Sequence, residues 1–200
     1  MNVQAALRRD LIHLMENRER LSHEAFAELL NEIVPLDGNG WEMGPDPEDT
    51  QRTILSVSAL GDQAKVRRIE QEFNLPIVTD HWSIIRGIPP REWEQYFEYT
   101  DYKGKQYRIE GSIWRHAIIH GRNGADIILD PDLSFLGDLP EQLGIIICIG
   151  EIGERNIESF VSSINYDCLP VSESNPISRL RADFVKLFPN CYYNKFLRAA

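Results

Sequence analysis

Ser112-Ile-Trp-Arg-His-Ala-Ile-Ile-His-Gly-Arg-Asn-Gly-Ala-Asp-Ile-Ile-Leu-Asp130 is two β-prone runs joined through Asn123-Gly124. Both central residues of a type I′ turn need positive φ, so Asn-Gly between alternating apolar residues is a strong antiparallel hairpin signal. The loop can be Asn123-Gly124 alone or the four residues Gly121–Gly124. These registers differ by two residues, so the same side chains share a face in either. Trp114, His116, Ile118 and His120 lie on one face with Ala125, Ile127 and Leu129. Arg115, Asp126 and Asp130 lie on the other, and the longer loop sets Arg115 opposite Asp130.

Toward the N-terminus, Val3, Leu7, Leu11, Leu14 and Met15 recur at helical steps, giving a helix over roughly 3–19. Ser22 caps a second one to about Val34, with Glu24 in its first turn. Residues 35–50 hold three Gly, three Pro, five acids and no base, the composition of a loop. Arg52 to Leu60 reads as a strand, Gly61-Asp62 opens a helix to about Phe73, and Leu75 to Arg86 reads as a second strand. Pro89-Pro90 opens a short helix carrying Trp93, Tyr96 and Phe97 on one face. Gln106 to Glu110 begins the β-rich section.

Beyond the hairpin, Leu143-Gly-Ile-Ile-Ile-Cys-Ile149 lacks alternation and reads as a strand buried on both faces. A helix over about 154–166 follows, and Pro176 precedes a last helix from Ile177 to Phe188. The expected architecture is α+β: a single domain with a mixed, mostly antiparallel sheet, a central hairpin at 112–130 and about six flanking helices. Residues 1–200 divide into a helical pair at about 3–34, an acidic loop at 35–50, an α/β core at 51–188 and a basic tail at 189–200.

The net charge of -10 comes from 21 Lys+Arg against 31 Asp+Glu, which disfavours general binding to nucleic acid. Residues 177–200 hold five bases (Arg179, Arg181, Lys186, Lys195, Arg198) and one acid, leaving -14 on the remainder. Three cysteines in no Cys-x-x-Cys arrangement point to reduced thiols. The N-terminus lacks the apolar h-region of a signal peptide, and no apolar run approaches the ~20 residues that span a bilayer. A cytoplasmic location without membrane association follows as an expectation. Homo-oligomerisation is left open.

No Gly-x-Ser-x-Gly elbow, Walker lysine motif, His-Glu-x-x-His or EF-hand loop occurs. No cofactor or metal ion is expected. His116 and His120 on one strand face stand ~13 Å apart, too far for two ligands of one zinc ion. Ile149-Gly-Glu-Ile-Gly-Glu-Arg155 superficially resembles a phosphate loop, but Glu151 and Glu154 would repel an anion, so a tight strand-to-helix turn is the better reading.

Two functions fit. An acid/base enzyme would use His116 or His120 with Asp130 or Asp132, although satisfied sheet histidines and an Asp-Pro turn explain these residues more simply. An acidic protein-binding module, such as an immunity protein or inhibitor covering a basic cleft, accounts for the charge and the missing catalytic motif. Its expected contacts are Trp41, Glu42, Asp46, Glu48 and Asp49, unless Trp41 folds down as a core peg, the commoner fate of a large aromatic.

Overall fold

The computed structural model describes residues 3–34, 40–47, 49, 51–58, 63–73, 75–92, 96–100, 104–131 and 141–199. The class is α+β, with helices beside three small sheets among the described residues. Contacts group the chain into two compact units, Met1–Ile88 and Pro89–Ala200, each with its own apolar cluster.

The first unit begins with α1 (Val3–Glu16) and α2 (His23–Ile33). Ser22 caps α2 by accepting a bond from the Ala25 N–H at 3.2 Å, as its position predicts. Trp41–Pro45 forms a strand, β1, so the expected loop fails over these residues. Pairing with β2 (Thr53–Val57) explains the difference, because Trp41↔Val57 through Pro45↔Thr53 supply ladder bonds that composition does not reveal. After α3 (Gln63–Phe73), the single strand expected at 75–86 is divided into β3 (Ile77–Val78) and β4 (Trp82–Arg86). Thr79 turns the chain between them: its N–H donates to the Trp82 carbonyl, and its hydroxyl accepts from the Trp82 N–H. The order is β1-β2-β4-β3, with β2 and β4 parallel. Leu55, Val57, Ile77 and Ile84 pack with Leu11, Phe26, Leu30 and Ile69 from the helices.

In the second unit, residues 96–100 are strand β5 (Tyr96–Thr100), not the end of a helix; Trp93 and Glu94 lie outside the described residues. β5 pairs with β6 (Gln106–Glu110), and Tyr99 stands opposite Tyr107. Aromatic residues suit a pleated surface. The central hairpin forms as β7 (Arg115–His120) and β8 (Ala125–Asp130), with the four-residue loop and Arg115↔Asp130 in register.

Leu143 to Ile149 is not a strand but the middle of helix α4 (Glu141–Ile152). A continuous apolar run fits a buried helix as well as a buried strand, and periodicity cannot separate them. Pro140 before the helix and Gly153 after it, at φ 83°, are the punctuation of a helix. The expected helix at 154–166 is half right. α5 (Glu154–Phe160) stops where Val161 turns extended, and β9 (Val161–Tyr166) pairs in parallel with β8. The Gly150–Gly153 segment therefore joins two helices, not a strand to a helix.

A short β10 (Asn175–Pro176) completes the order β10-β7-β8-β9. A 3-10 turn at Ile177–Arg179 leads into α6 (Leu180–Leu187), and α7 (Asn194–Ala199) closes the described chain. The tail packs: Cys191 and Leu197 are buried with Leu143, Ile147 and Phe184. Asn156 fastens it by donating to the Ile152 and Tyr192 carbonyls and accepting from the Tyr192 N–H. Buried Arg181 meets buried Glu151 at 3.0 Å, so this glutamate holds α4 to α6. Among the described residues no helix is long and apolar enough to cross a membrane.

Candidate functional site

Two places hold the candidates. In the first unit, Trp41, Glu42, Asp46 and Asp49, expected on an acidic loop, occupy an edge strand and its turn. Trp41 packs against the core cluster, its ring 5.8 Å from Phe26 in an edge-on arrangement and 5.9 Å from His23. It serves as a core peg. Glu42 is half-exposed on β1, and its carbonyl accepts from Ser56 Oγ. Asp46 is buried, and its backbone N–H donates to the Arg52 carbonyl. Asp49 caps the Gln51 N–H and meets Arg52 at 3.3 Å. These last two acids shape the turn between β1 and β2. Glu48 lies outside the described residues.

Three exposed acids of this unit line up on α2. Glu24, Glu28 and Glu32 stand at successive i, i+4 positions of α2, all exposed, with Leu29 exposed beside them. Between Arg20 and Arg52 the chain has eight acids and no lysine or arginine, so no such base lies beside the stripe within α2. Like charges at this spacing destabilise a helix by about 0.2–0.5 kcal/mol per pair. The spacing was readable in the sequence.

In the second unit the hairpin separates its polar groups as the strand period requires. Asp126 accepts from Ser163 Oγ at 2.7 Å, and Asp130 accepts from the Leu169 N–H at 3.0 Å, both on the face away from His116. Arg115 reaches Ser174 and the Val171 carbonyl. Asp132 lies outside the described residues. His120 is exposed at the strand end, its ring 5.6 Å from that of Phe188 and tilted by 55°. Neither histidine shares a face with Asp130.

His116 instead meets a carboxylate that the sequence did not single out. Its Nε2 lies 3.5 Å from Asp183 Oδ2 on α6. Asp183 accepts from Asn175 Nδ2 at 2.9 Å and from Lys186 Nζ at 2.9 Å, and Arg179 stands 3.6 Å away. Three segments converge here because β10 pairs beside β7 and α6 crosses that face of the sheet. His116, Ile118, Asn175, Asp183, Lys186 and Leu187 line an open dent of about 240 Å³. His116 is 1% exposed. Burial lowers its pKa below the ordinary 6.5, although Asp183 and the Pro176 carbonyl pull it upward, and Arg179 adds to the lowering. Neither neighbour gives a ring nitrogen a well-formed hydrogen bond. The imidazole is therefore neutral at neutral pH and incompletely satisfied.

The two buried thiols, Cys148 and Cys191, are poorly placed for nucleophilic work. Burial, helped by the Glu151 charge, pushes Cys148 far above the ordinary thiol range, and burial raises Cys191 as well. Among the described residues no group of three or more His, Cys, Asp or Glu side chains is placed to hold a metal ion.

No protein-family model, no curated protein and no solved structure matches this chain.

Proposed function

We propose that this protein is an acidic protein-binding module of the cytoplasm that covers a basic surface on its partner, in the manner of an immunity protein or inhibitor, and that the exposed face of α2 makes the contact. The observation that carries this is the stripe Glu24, Glu28, Glu32 around exposed Leu29. Three like charges in line weaken their own helix. A basic partner would turn that penalty into attraction, and the charge would steer the encounter. Glu42, half-exposed on β1, belongs to the same acidic segment. Trp41 supports the scaffold instead of providing the anchor.

The test uses Glu24→Lys, Glu28→Lys and Glu32→Lys together. A partner is cross-linked to the tagged wild-type protein, identified, purified and titrated against both forms. Loss of binding by more than about a hundredfold in the triple variant is expected, with a wild-type affinity that falls as salt rises. Equal affinity for both forms would remove α2 from the interface.

A further inference from the structure

The outer strand β1 has one side bonded to β2 and the other side open. The Ser58 N–H donates to the Gly40 carbonyl at 2.9 Å, and the Asp46 N–H donates to the Arg52 carbonyl at 3.0 Å. In the antiparallel register Trp41↔Val57 through Pro45↔Thr53, the even-numbered residues of β1 therefore turn their backbone groups toward β2. Trp41, Met43 and Pro45 turn theirs outward. Among the described residues no strand lies beyond β1, and the outward N–H and carbonyl groups of Trp41 and Met43 meet no hydrogen-bond partner. Such a row is a template for a further strand. Pro45 stands at an outward position, so its missing N–H costs the pairing with β2 nothing.

Charge and shape indicate what fits this edge. It lies in the run between Arg20 and Arg52 that holds eight acids and no lysine or arginine; like charge keeps two copies from pairing edge to edge and attracts a basic strand. Trp41 and Met43 are half-buried against the core cluster, so apolar side chains opposite them would extend it. On the other face of the strand, an added Cβ at Gly44 would meet no atom within 4 Å among the described residues, which leaves room beside Glu42 for a bulky neighbour.

We propose that β1 takes an extended basic segment of the partner as an antiparallel strand, with apolar residues opposite Trp41 and Met43, a bulky residue opposite Gly44 and a lysine or arginine opposite Glu42. The added strand's N–H groups donate to the Trp41 and Met43 carbonyls, and its carbonyls accept from the Trp41 and Met43 N–H groups. Antiparallel pairing reverses direction, so the partner segment reads bulky-x-basic from its N-terminal side. Main-chain bonds supply the affinity, and the cross-strand neighbours of Glu42 and Gly44 supply the choice. The inference rests on the reading of this protein as the acidic side of a protein pair, but it uses β1 and not the stripe on α2.

The experiment titrates the full-length, ¹⁵N-labelled protein with the end-blocked peptide Lys-Val-Tyr-Val-Arg-Val-Lys and reads amide shifts and hydrogen exchange. With its tyrosine opposite Gly44 and its arginine opposite Glu42, the last two valines face Met43 and Trp41. The Trp41 and Met43 amides should gain protection on binding, while those of Glu42 and Gly44, already turned to β2, should change little. N-methylation of those two valines should weaken binding about tenfold or more, and N-methylation of the tyrosine and arginine, whose amides face away from β1, should cost much less. Glutamate in place of the peptide's bases should weaken it about tenfold at low salt. The combined Glu24→Lys, Glu28→Lys, Glu32→Lys variant should bind the peptide within about threefold of wild type at raised salt, which separates this site from the role of α2. Absence of saturable binding, unprotected Trp41 and Met43 amides, equal affinity of the two methylated peptides or of the acidic one, or loss of binding in the triple variant would each overturn the assignment. The same protection produced by concentrating the protein without peptide would assign the edge to a second copy and overturn it too.

Discussion

Replacing Glu28 with lysine should make the free protein more stable and its complex weaker. Glu28 sits between Glu24 and Glu32 on the exposed face of α2. The substitution removes two i, i+4 repulsions and creates two attractions, each about 0.2–0.5 kcal/mol. Exposed pairs fall at the lower end of such ranges, so the sum is about 1 kcal/mol. For a chain of this length that corresponds to a rise of about 2–4 °C in Tm. Circular dichroism melts at low salt measure it, and repetition at high salt should shrink the gain, because exposed charges are screened. The same variant should bind the proposed partner about tenfold or more weakly, a change of about 1.4 kcal/mol. A stabilised protein with impaired binding is the mark of a feature kept for function at the expense of stability. An unchanged or lowered Tm at low salt would refute the electrostatic reasoning; a raised Tm with undiminished binding would refute the role assigned to the stripe.

Gly124→Ala should cost about 1–3 kcal/mol, read as a lower urea midpoint. The new Cβ would meet Ser162 Oγ at 2.7 Å and the Phe160 carbonyl oxygen at 2.8 Å, at a φ of 145°; wild-type stability would show that the loop can relax. Because the folded-state pKa of His116 lies below 6.5, the unfolded chain binds more protons, and stability should decline as pH falls through and below that value. His116→Gln should flatten the decline in urea midpoints above about pH 5.5, ahead of most carboxylate titration, and an identical slope in both proteins would contradict the lowered pKa. Arg181→Met, which leaves Glu151 charged and buried, should cost about 3–5 kcal/mol, whereas adding Glu151→Leu should recover much of it; a double variant no better than the single one would refute the buried pair. Residues 89–200 have an apolar cluster of their own, so this fragment should unfold cooperatively when expressed alone. A molten fragment would favour the single-domain expectation instead.

The hairpin could be read from sequence because its information is local: alternation sets the faces, and Gly121 and Gly124 allow the four-residue loop. Residues 143–149 could not, because Leu-Gly-Ile-Ile-Ile-Cys-Ile is uniformly apolar and the same run satisfies a buried strand or a buried helix. Only its flanks, Pro140 and Gly153, carried the distinction. β1 and β5 were missed for a different reason: their extended form depends on β2 and β6, partners outside the segment being read. The His116–Asp183 meeting is the extreme case. Each residue is placed by sequence on its own element, His116 on the strand face it shares with Ile118 and Asp183 on the helix expected over Ile177–Phe188, which the structure forms as a 3-10 turn and α6. On that helix, Asp183 shares a stripe with Leu180 and Leu187, at the border between apolar and polar faces, which leaves its carboxylate 16% exposed. Only the crossing of α6 over β7 brings this border residue to the imidazole, and tertiary packing sets that crossing. The acidic stripe needed no such knowledge. Its i, i+4, i+8 spacing lies inside one helix that the sequence itself places, whereas the loop-like composition of the neighbouring Trp41 segment conceals a paired edge strand.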